Sequence, residues 1–210
     1  MLQGAPPLGV GDCSGWNDFM PGRLRRHDEP GHVHFVTVST FRRLQFFAYP
    51  SVCAAFVEGL SQIRMTHPIR WLGYVVMPEH VHIAVLPQRS SDRPPVPISL
   101  ILQELKSWTG RWCKDALRGV WRERHSLGTP KLDAWATAEG EKPFWKPRGY
   151  DFNIDRKESL LQKLDYIHRN PLRRGLVERA EDWTWSSYRY YEFGDPVPIA
   201  MDWDGGFPLL

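Results

Sequence analysis

Apolar and polar positions along the chain follow two different periods. Three short runs are dense in β-branched and aromatic residues and predict strands at residues 32–40, 71–77 and 80–86. Apolar residues recur at helical spacing in three longer segments, which predicts helices at residues 51–65, 98–112 and 155–169. The sequence MPE between the second and third strands predicts the tip of an antiparallel hairpin, and a further short strand is expected within residues 144–153.

This order of elements predicts an α+β fold in which helices pack on one face of an antiparallel sheet. Residues 1–30 are rich in Gly and Pro and predict a flexible N-terminal arm. Residues 113–142 mix Gly, Pro and charges, so we expect an irregular insertion there. Residues 31–175 then form the main domain, and residues 176–210 form a C-terminal tail that packs on it.

Composition narrows the class of protein only moderately. The chain of 210 residues is 42% hydrophobic and 24% charged, as in ordinary soluble proteins. It has no apolar run near the ~18 residues of a membrane span. The N-terminus does not have the pattern of a signal peptide. Three unpaired-looking cysteines fit reduced thiols, so we expect a cytoplasmic protein without a membrane partner.

Basic residues cluster more than the overall charge suggests. The net charge is +3 and the isoelectric point is about 8.8. The segment around the last predicted helix carries several cations and few acids, a pattern expected of a phosphate-binding surface. The candidate nucleic-acid contacts are Lys163, Arg169, Arg173 and Arg174. A solvated basic surface is the alternative interpretation.

The helix predicted from Asp155 has the clearest boundaries. Asp155 can cap it, Glu158 can complete a capping box, and Pro171 is expected to end it. Its apolar stripe is Leu160, Leu161, Leu164 and Ile167. Tyr166 lies outside that stripe, one helical turn before Asn170, so both side chains can address one point in space.

Two histidines stand on the third predicted strand. His80 and His82 share one face because side chains alternate along a strand, and two neutral imidazoles side by side form half of a divalent metal site. The spacing alone is weak, since His32 and His34 repeat it on the first strand.

These residue types suit phosphoryl transfer. A tyrosine hydroxyl has a pKa of ~10 and needs help to act as a nucleophile. A divalent ion held by His80 and His82, with the Asn170 amide oxygen as a candidate further ligand, could polarise a phosphodiester for attack by Tyr166. Glu79 is either a group that supports the histidines or activates water, or only a turn residue.

The motif MPEHVHIAVLP resembles the histidine–hydrophobic–histidine motif of the HUH endonucleases. LDYIHRNPLRRGLV, followed by EDWTWSSYRYY, resembles the C-terminal half of the REP-associated tyrosine transposases, which are relatives of the single-tyrosine insertion-sequence transposases. With HVHFVTVSTFRR and FWKPRGYDFN, the resemblance covers about residues 30–192.

This resemblance implies a ferredoxin-like α+β fold and cleavage of single-stranded DNA beside REP-type palindromic hairpins. It implies Mg²⁺ or Mn²⁺ as cofactor and a 5′-phosphotyrosine intermediate. Tyr166 then matches the nucleophile, and the metal ligands are His80, His82 and Asn170. The protein would act at the bacterial nucleoid as a monomer or a homodimer. His32 and His34 match the first strand of the family and not its motif.

Two other functions remain open at this stage. The first is a regulatory module that binds hairpin DNA or RNA without turnover. The second is a zinc hydrolase, although metal-dependent amidohydrolase barrels need about 250 residues and further ligands.

Overall fold

The computed structural model describes residues 32–90, 94–125, 135–137 and 140–203. The predicted N-terminal arm, residues 1–30, lies outside this part of the chain. Four strands form the main sheet: β1 Val33–Ser39, β2 Ile69–Met77, β3 His80–Pro87 and β6 Tyr150–Ile154. Their order is β2-β3-β1-β6, and all three pairings are antiparallel.

Four α-helices accompany the sheet: α1 Pro50–Thr66, α2 Ile98–His125, α3 Lys157–Arg173 and α4 Tyr188–Phe193. Two further strands, β4 Ala136–Thr137 and β5 Gly140–Glu141, form a small separate hairpin. Short 3-10 helices occupy Phe41–Arg43, Phe46–Ala48 and Ala180–Asp182. Within the described ranges, no helix has both the length and the apolar character needed to cross a membrane.

The main sheet and its first two helices follow the order β1-α1-β2-β3-α2-β6. The two central strands are the first and third of the sheet in chain order, and the second and fourth are at its edges. This is the arrangement of a ferredoxin-like fold. The predicted α+β class with an antiparallel sheet is therefore confirmed.

One face of the sheet packs against α1 and α2 and carries the larger core. Strand β3 contributes Val81, Ile83 and Val85 to this face, as the alternation along the strand predicts. Helix α1 buries Phe56 and Leu60 against them. The two described cysteines, Cys53 and Cys113, are free thiols within this core.

Helix α3 packs on the opposite face. The helices therefore cover both faces of the sheet, whereas the sequence predicted helices on one face only. Three residues of the predicted stripe, Leu160, Leu164 and Ile167, are buried there. The fourth, Leu161, is 43% exposed, so its assignment to the stripe was wrong. Gly73 of β2 lies directly under Leu164, which lets the helix approach the strand closely.

The observed bounds of two helices differ from those predicted from the sequence. Helix α2 continues to His125, so the first part of the expected insertion is regular helix that buries Cys113 and Leu117. This part of α2 contains one glycine, Gly119, which costs a helix only about 1 kcal/mol. Helix α3 starts after Arg156, not at an Asp155 cap, and contains Pro171 within its last turn.

The segment after α3 follows the β2 edge of the sheet. Trp183 donates its indole N–H to the Val76 carbonyl at 3.0 Å, and Tyr191 donates its hydroxyl to the Leu72 carbonyl. Trp203 is buried beside the α3 stripe. These contacts attach the C-terminal part of the described chain to the face that carries α3, while Trp185 and Ile199 pack against the core of the opposite face.

The contact between Gly73 and α3 gives a test of the packing. We expect Gly73→Ala to lower the free energy of unfolding by about 1–3 kcal/mol, because the new methyl group overlaps the Leu164 side chain. Gly119→Ala in α2 is the matched control, since no described atom lies within 4 Å of a methyl group there. That change should stabilise by up to about 1 kcal/mol. Urea denaturation measures both, and equal effects would contradict this packing.

Candidate active site

The imidazoles of His80 and His82 meet on the face of the sheet that carries α3. Their Nε2 atoms are 3.0 Å apart, and their rings cross at 81°. Both residues are buried, with exposed fractions of 7% and 6%. The alternation along β3 therefore brings the two histidines together as predicted.

The Nδ1 atom of each ring is occupied by a neighbouring side chain. Thr37 of β1, which pairs with His82 across the sheet, places its Oγ1 2.7 Å from the His82 Nδ1. Glu79 places its Oε1 3.1 Å from the His80 Nδ1. Because Nδ1 is engaged in both rings, the Nε2 atoms are the ones left to bind a ligand.

Burial favours the neutral form of both imidazoles. It lowers the pKa of His80, although the Glu79 carboxylate opposes that effect. It lowers the pKa of His82 well below the usual value, and the positive charges of His80, Lys163 and Arg43 add to the effect. Neutral imidazoles are the form that coordinates metals.

Glu79 is a buried carboxylate that connects three parts of the chain. Its Oε1 accepts hydrogen bonds from Arg43 Nη2, at 2.9 Å, and from Arg174 Nη1 at the end of α3. Burial raises the pKa of Glu79, but the hydrogen bonds and charges of Arg174, His80 and Arg43 outweigh burial and lower it. Glu79 is therefore an ionised group that contacts both His80 and the end of α3. The sequence alone left open whether Glu79 was only a turn residue.

Tyr166 lies beside the histidine pair. Its ring centroid is 5.7 Å from that of His82, with the rings at 71°. The side chain is 38% exposed, whereas Leu164 and Ile167 on the same helix are buried. The packing of the apolar stripe therefore turns Tyr166 towards both the histidines and solvent.

Asn170 stands between two contacts that α3 makes with the histidine hairpin. Tyr166, one turn before it, touches His82, and Arg174, one turn after it, bonds to Glu79. Asn170 is 7% exposed and remains helical in spite of the following Pro171. Its role as a metal ligand remains a prediction.

The donor set around the histidines fits a divalent cation. Two ligands at right angles, each about 2.1 Å from a metal, lie about 3.0 Å apart, which matches the separation of the two Nε2 atoms. Among the residues that the structure describes, no three His, Cys, Asp or Glu side chains form a metal cluster. An amide oxygen such as that of Asn170 is a type of further ligand that Mg²⁺ or Mn²⁺ accepts.

The four predicted nucleic-acid contacts are in different environments. The Lys163 ammonium lies 5.4 Å from the ring centres of both Phe35 and Phe152. Arg169 is exposed and pairs with Asp165 of its own helix at 2.6 Å. Arg173 is exposed at the end of α3. All four remain predictions as DNA contacts, and Arg174 also has a structural partner in Glu79.

The second histidine pair is in a different place. His34 faces the α1 and α2 side of the sheet, in the same alternation as Val36 and Val38, and its Nδ1 is 3.1 Å from Asp151 Oδ1. It is 2% exposed and makes a structural contact with β6. The choice of His80 and His82 over His34 therefore agrees with the geometry around Tyr166.

Two residues of the site were not predicted from the sequence. Thr37 is a half-buried hydroxyl on the face of β1 that carries α3, and the alternation along the strand could have placed it on that face. Arg43 follows β1 with a left-handed backbone (φ 56°), and nothing in the sequence pairs it with Glu79. Thr37 bonds directly to His82, whereas Arg43 bonds to Glu79, which in turn contacts His80.

Comparison with known proteins points to one group of relatives. No protein-family model matches the chain. A protein of Haemophilus influenzae that is named as a REP-associated tyrosine transposase is 22% identical over 186 residues. The match covers 89% of this chain and 94% of the relative. The REP-associated tyrosine transposase of Escherichia coli is 25% identical over 149 residues, covering 70% of each chain.

A solved structure of a REP-associated tyrosine transposase bound to a REP hairpin has the same fold. The TM-score is 0.56 at 23% identity, and the match covers 90% of this chain and 99% of that one. The resemblance to the REP-associated tyrosine transposases, and with it the expectation of an enzyme of the transposase class, is confirmed by these relatives.

The contact between α3 and Glu79 yields a prediction about stability. Arg174→Ala should cost about 1–2 kcal/mol and increase hydrogen exchange in the last turns of α3, because a buried carboxylate loses a charged donor. Arg169→Ala is the control, since its partner Asp165 is exposed on the same helix, and should cost less than about 0.5 kcal/mol. If the two variants unfold alike in urea, Arg174 does not hold the helix.

Proposed function

We propose that this chain, which is related in sequence and fold to the REP-associated tyrosine transposases, cleaves and rejoins single-stranded DNA beside palindromic hairpins. The observation that carries the proposal is the contact of Tyr166 with His82, at the point where two Nε2 atoms converge. The hairpin enters the proposal because the solved structure of similar fold is bound to a REP hairpin.

The reaction proposed for Tyr166 is a transesterification. Its phenolic oxygen attacks the scissile phosphorus, forms a 5′-phosphotyrosine and breaks the bond from phosphorus to the 3′ oxygen. The phenol loses one proton and the released 3′-hydroxyl gains one, so the step is balanced without a net acid or base. Because Tyr166 is 38% exposed, water can accept its proton. The reverse attack by a 3′-hydroxyl rejoins the strand.

We propose Mg²⁺ or Mn²⁺ as cofactor, held by His80, His82 and the Asn170 amide. When bound, such an ion supplies Lewis-acid polarisation of the phosphodiester. Thr37 and Glu79 orient the two imidazoles through their Nδ1 atoms. Partners of this kind affect metal affinity or activity by about 10- to 100-fold in known metal sites.

The arrangement favours catalysis over a role in binding alone. A module that only binds hairpin DNA does not require two buried, oriented imidazoles or an exposed tyrosine beside them. A zinc hydrolase of the amidohydrolase type would need a barrel, and the ferredoxin-like sheet excludes that fold for the described residues.

The first prediction of this proposal concerns the nucleophile. Tyr166→Phe should abolish the covalent protein–DNA adduct and leave DNA affinity within a few-fold, because only the attacking oxygen is removed. The measurement is a denaturing gel after incubation with labelled hairpin DNA and Mn²⁺. Tyr188→Phe, whose ring packs against His168, is the control and should form the adduct normally. An adduct that persists in Tyr166→Phe would point to Tyr150 or Tyr188 instead.

The second prediction concerns the metal. His80→Ala and His82→Ala should each weaken Mn²⁺ binding at least tenfold in titration calorimetry and abolish adduct formation, because each removes one of the two converging Nε2 atoms. His34→Gln keeps a hydrogen-bond donor for Asp151 and should retain both properties. Loss of Mn²⁺ binding in a folded His34→Gln protein would show that the wrong pair was assigned.

A further inference from the structure

Two large aromatic side chains are exposed on the edge strand β6. Tyr150 is 41% exposed and Phe152 is 43% exposed, while Ile154 on the same strand is fully buried. The three side chains share one face because side chains alternate along a strand, and Ile154 lies in the core beneath α3. Tyr150 and Phe152 therefore lie on the face that carries the histidine pair.

The register of the sheet places both rings next to the site. Tyr150 pairs with Thr37, and Thr37 pairs with His82 on its other side and bonds to the His82 Nδ1. Phe152 pairs with Phe35, and the Phe35 ring stacks on His82 at 5.5 Å and 21°. Each exposed ring is thus separated from β3 by the width of one strand, β1.

The electrostatic surroundings of these rings are positive. The Lys163 ammonium lies 5.4 Å from the Phe152 ring centre, one helical turn before Tyr166. The only acidic residue of β6, Asp151, belongs to the opposite face, where it bonds to His34. This face of β6 therefore presents aromatic surface beside a cation and contributes no carboxylate of its own.

We propose that Tyr150 and Phe152 form a stacking platform for unpaired DNA bases that flank the scissile phosphate. The proposal rests on the function proposed above and names the part of the protein that holds the single strand. Two side chains of one face are about 6.6 Å apart along a strand, so each ring can hold a base of an extended strand. Lys163 lies where it can contact the phosphate between the platform and Tyr166.

Unpaired bases suit this surface better than a protein partner does. Every base has an aromatic face, and stacking tolerates any sequence. The cation beside the rings matches the phosphate that each base carries, whereas a protein partner would need to bring a carboxylate to the same place. Duplex DNA does not expose its base faces, so the ligand is single-stranded.

The test compares DNA binding by ring-deleted variants in the Tyr166→Phe background, where no adduct forms. The ligands are a DNA hairpin with a single-stranded extension and the same hairpin without one. Tyr150→Leu together with Phe152→Leu should weaken binding of the extended hairpin by about 10- to 100-fold. The variant should bind the blunt hairpin as tightly as its parent does.

Phe193→Leu is the matched control. Phe193 is 52% exposed and lies 5.4 Å from the Arg189 guanidinium, but it belongs to the segment that follows the β2 edge. This change should leave both affinities unaltered. Tyr150→Phe keeps the ring and should retain full affinity for the extended hairpin.

Abasic nucleotides in the DNA provide an independent test. Placed in the extension beside the cleavage position, they should weaken binding to the parent protein and have no further effect on the double variant. The platform is overturned if the double variant binds the extended hairpin like its parent, or loses affinity equally for the blunt one. Either result leaves the adduct of the wild-type protein intact, whereas failure of the proposed function would remove that adduct.

Discussion

The buried carboxylate of Glu79 is the contact on which the site depends. It follows β2 and precedes β3, so its backbone belongs to the hairpin that carries the histidines. Its side chain holds the His80 ring, the loop after β1 through Arg43 and the end of α3 through Arg174. An ionised carboxylate is costly to bury without such partners. The same charge therefore orients a candidate metal ligand and fixes the helix that carries Tyr166.

Helix α3 has a second anchor on the other side of Tyr166. Leu164 packs directly over Gly73 of β2. Because this residue has no side chain, the helix can come close to the strand. Between this contact and the Arg174–Glu79 pair, the helix has little freedom to shift along the sheet. The ring of Tyr166 is consequently held beside His82 by rigid elements and not by a loop.

Patterns of period two and 3.6 were enough to predict the strands, the hairpin tip, the histidine face of β3 and the polar flank of α3. These features are local, because one segment and the burial of one face determine them. The side of the sheet on which α3 lies could not be predicted, since the stripe of Leu160 and Leu164 fits either face. The contacts of Arg43 and Arg174 with Glu79 join residues far apart in sequence, so no local pattern predicts them. The extension of α2 was missed because the mixture of Gly, Pro and charged residues over 113–142 resembles an irregular segment.

The two faces of the sheet meet different demands. Helices α1 and α2 cover one face with a continuous apolar core, which accounts for most of the burial. Helix α3 covers the other face only in part, since its stripe packs towards β2 while Tyr166 and the β6 rings stay exposed. Polar groups can be buried on this face because each imidazole has a hydrogen-bonding partner. A sheet with one face packed in the main core can thus keep an open, polar and aromatic surface on the other face, and Tyr166 and the β6 rings are exposed on that surface.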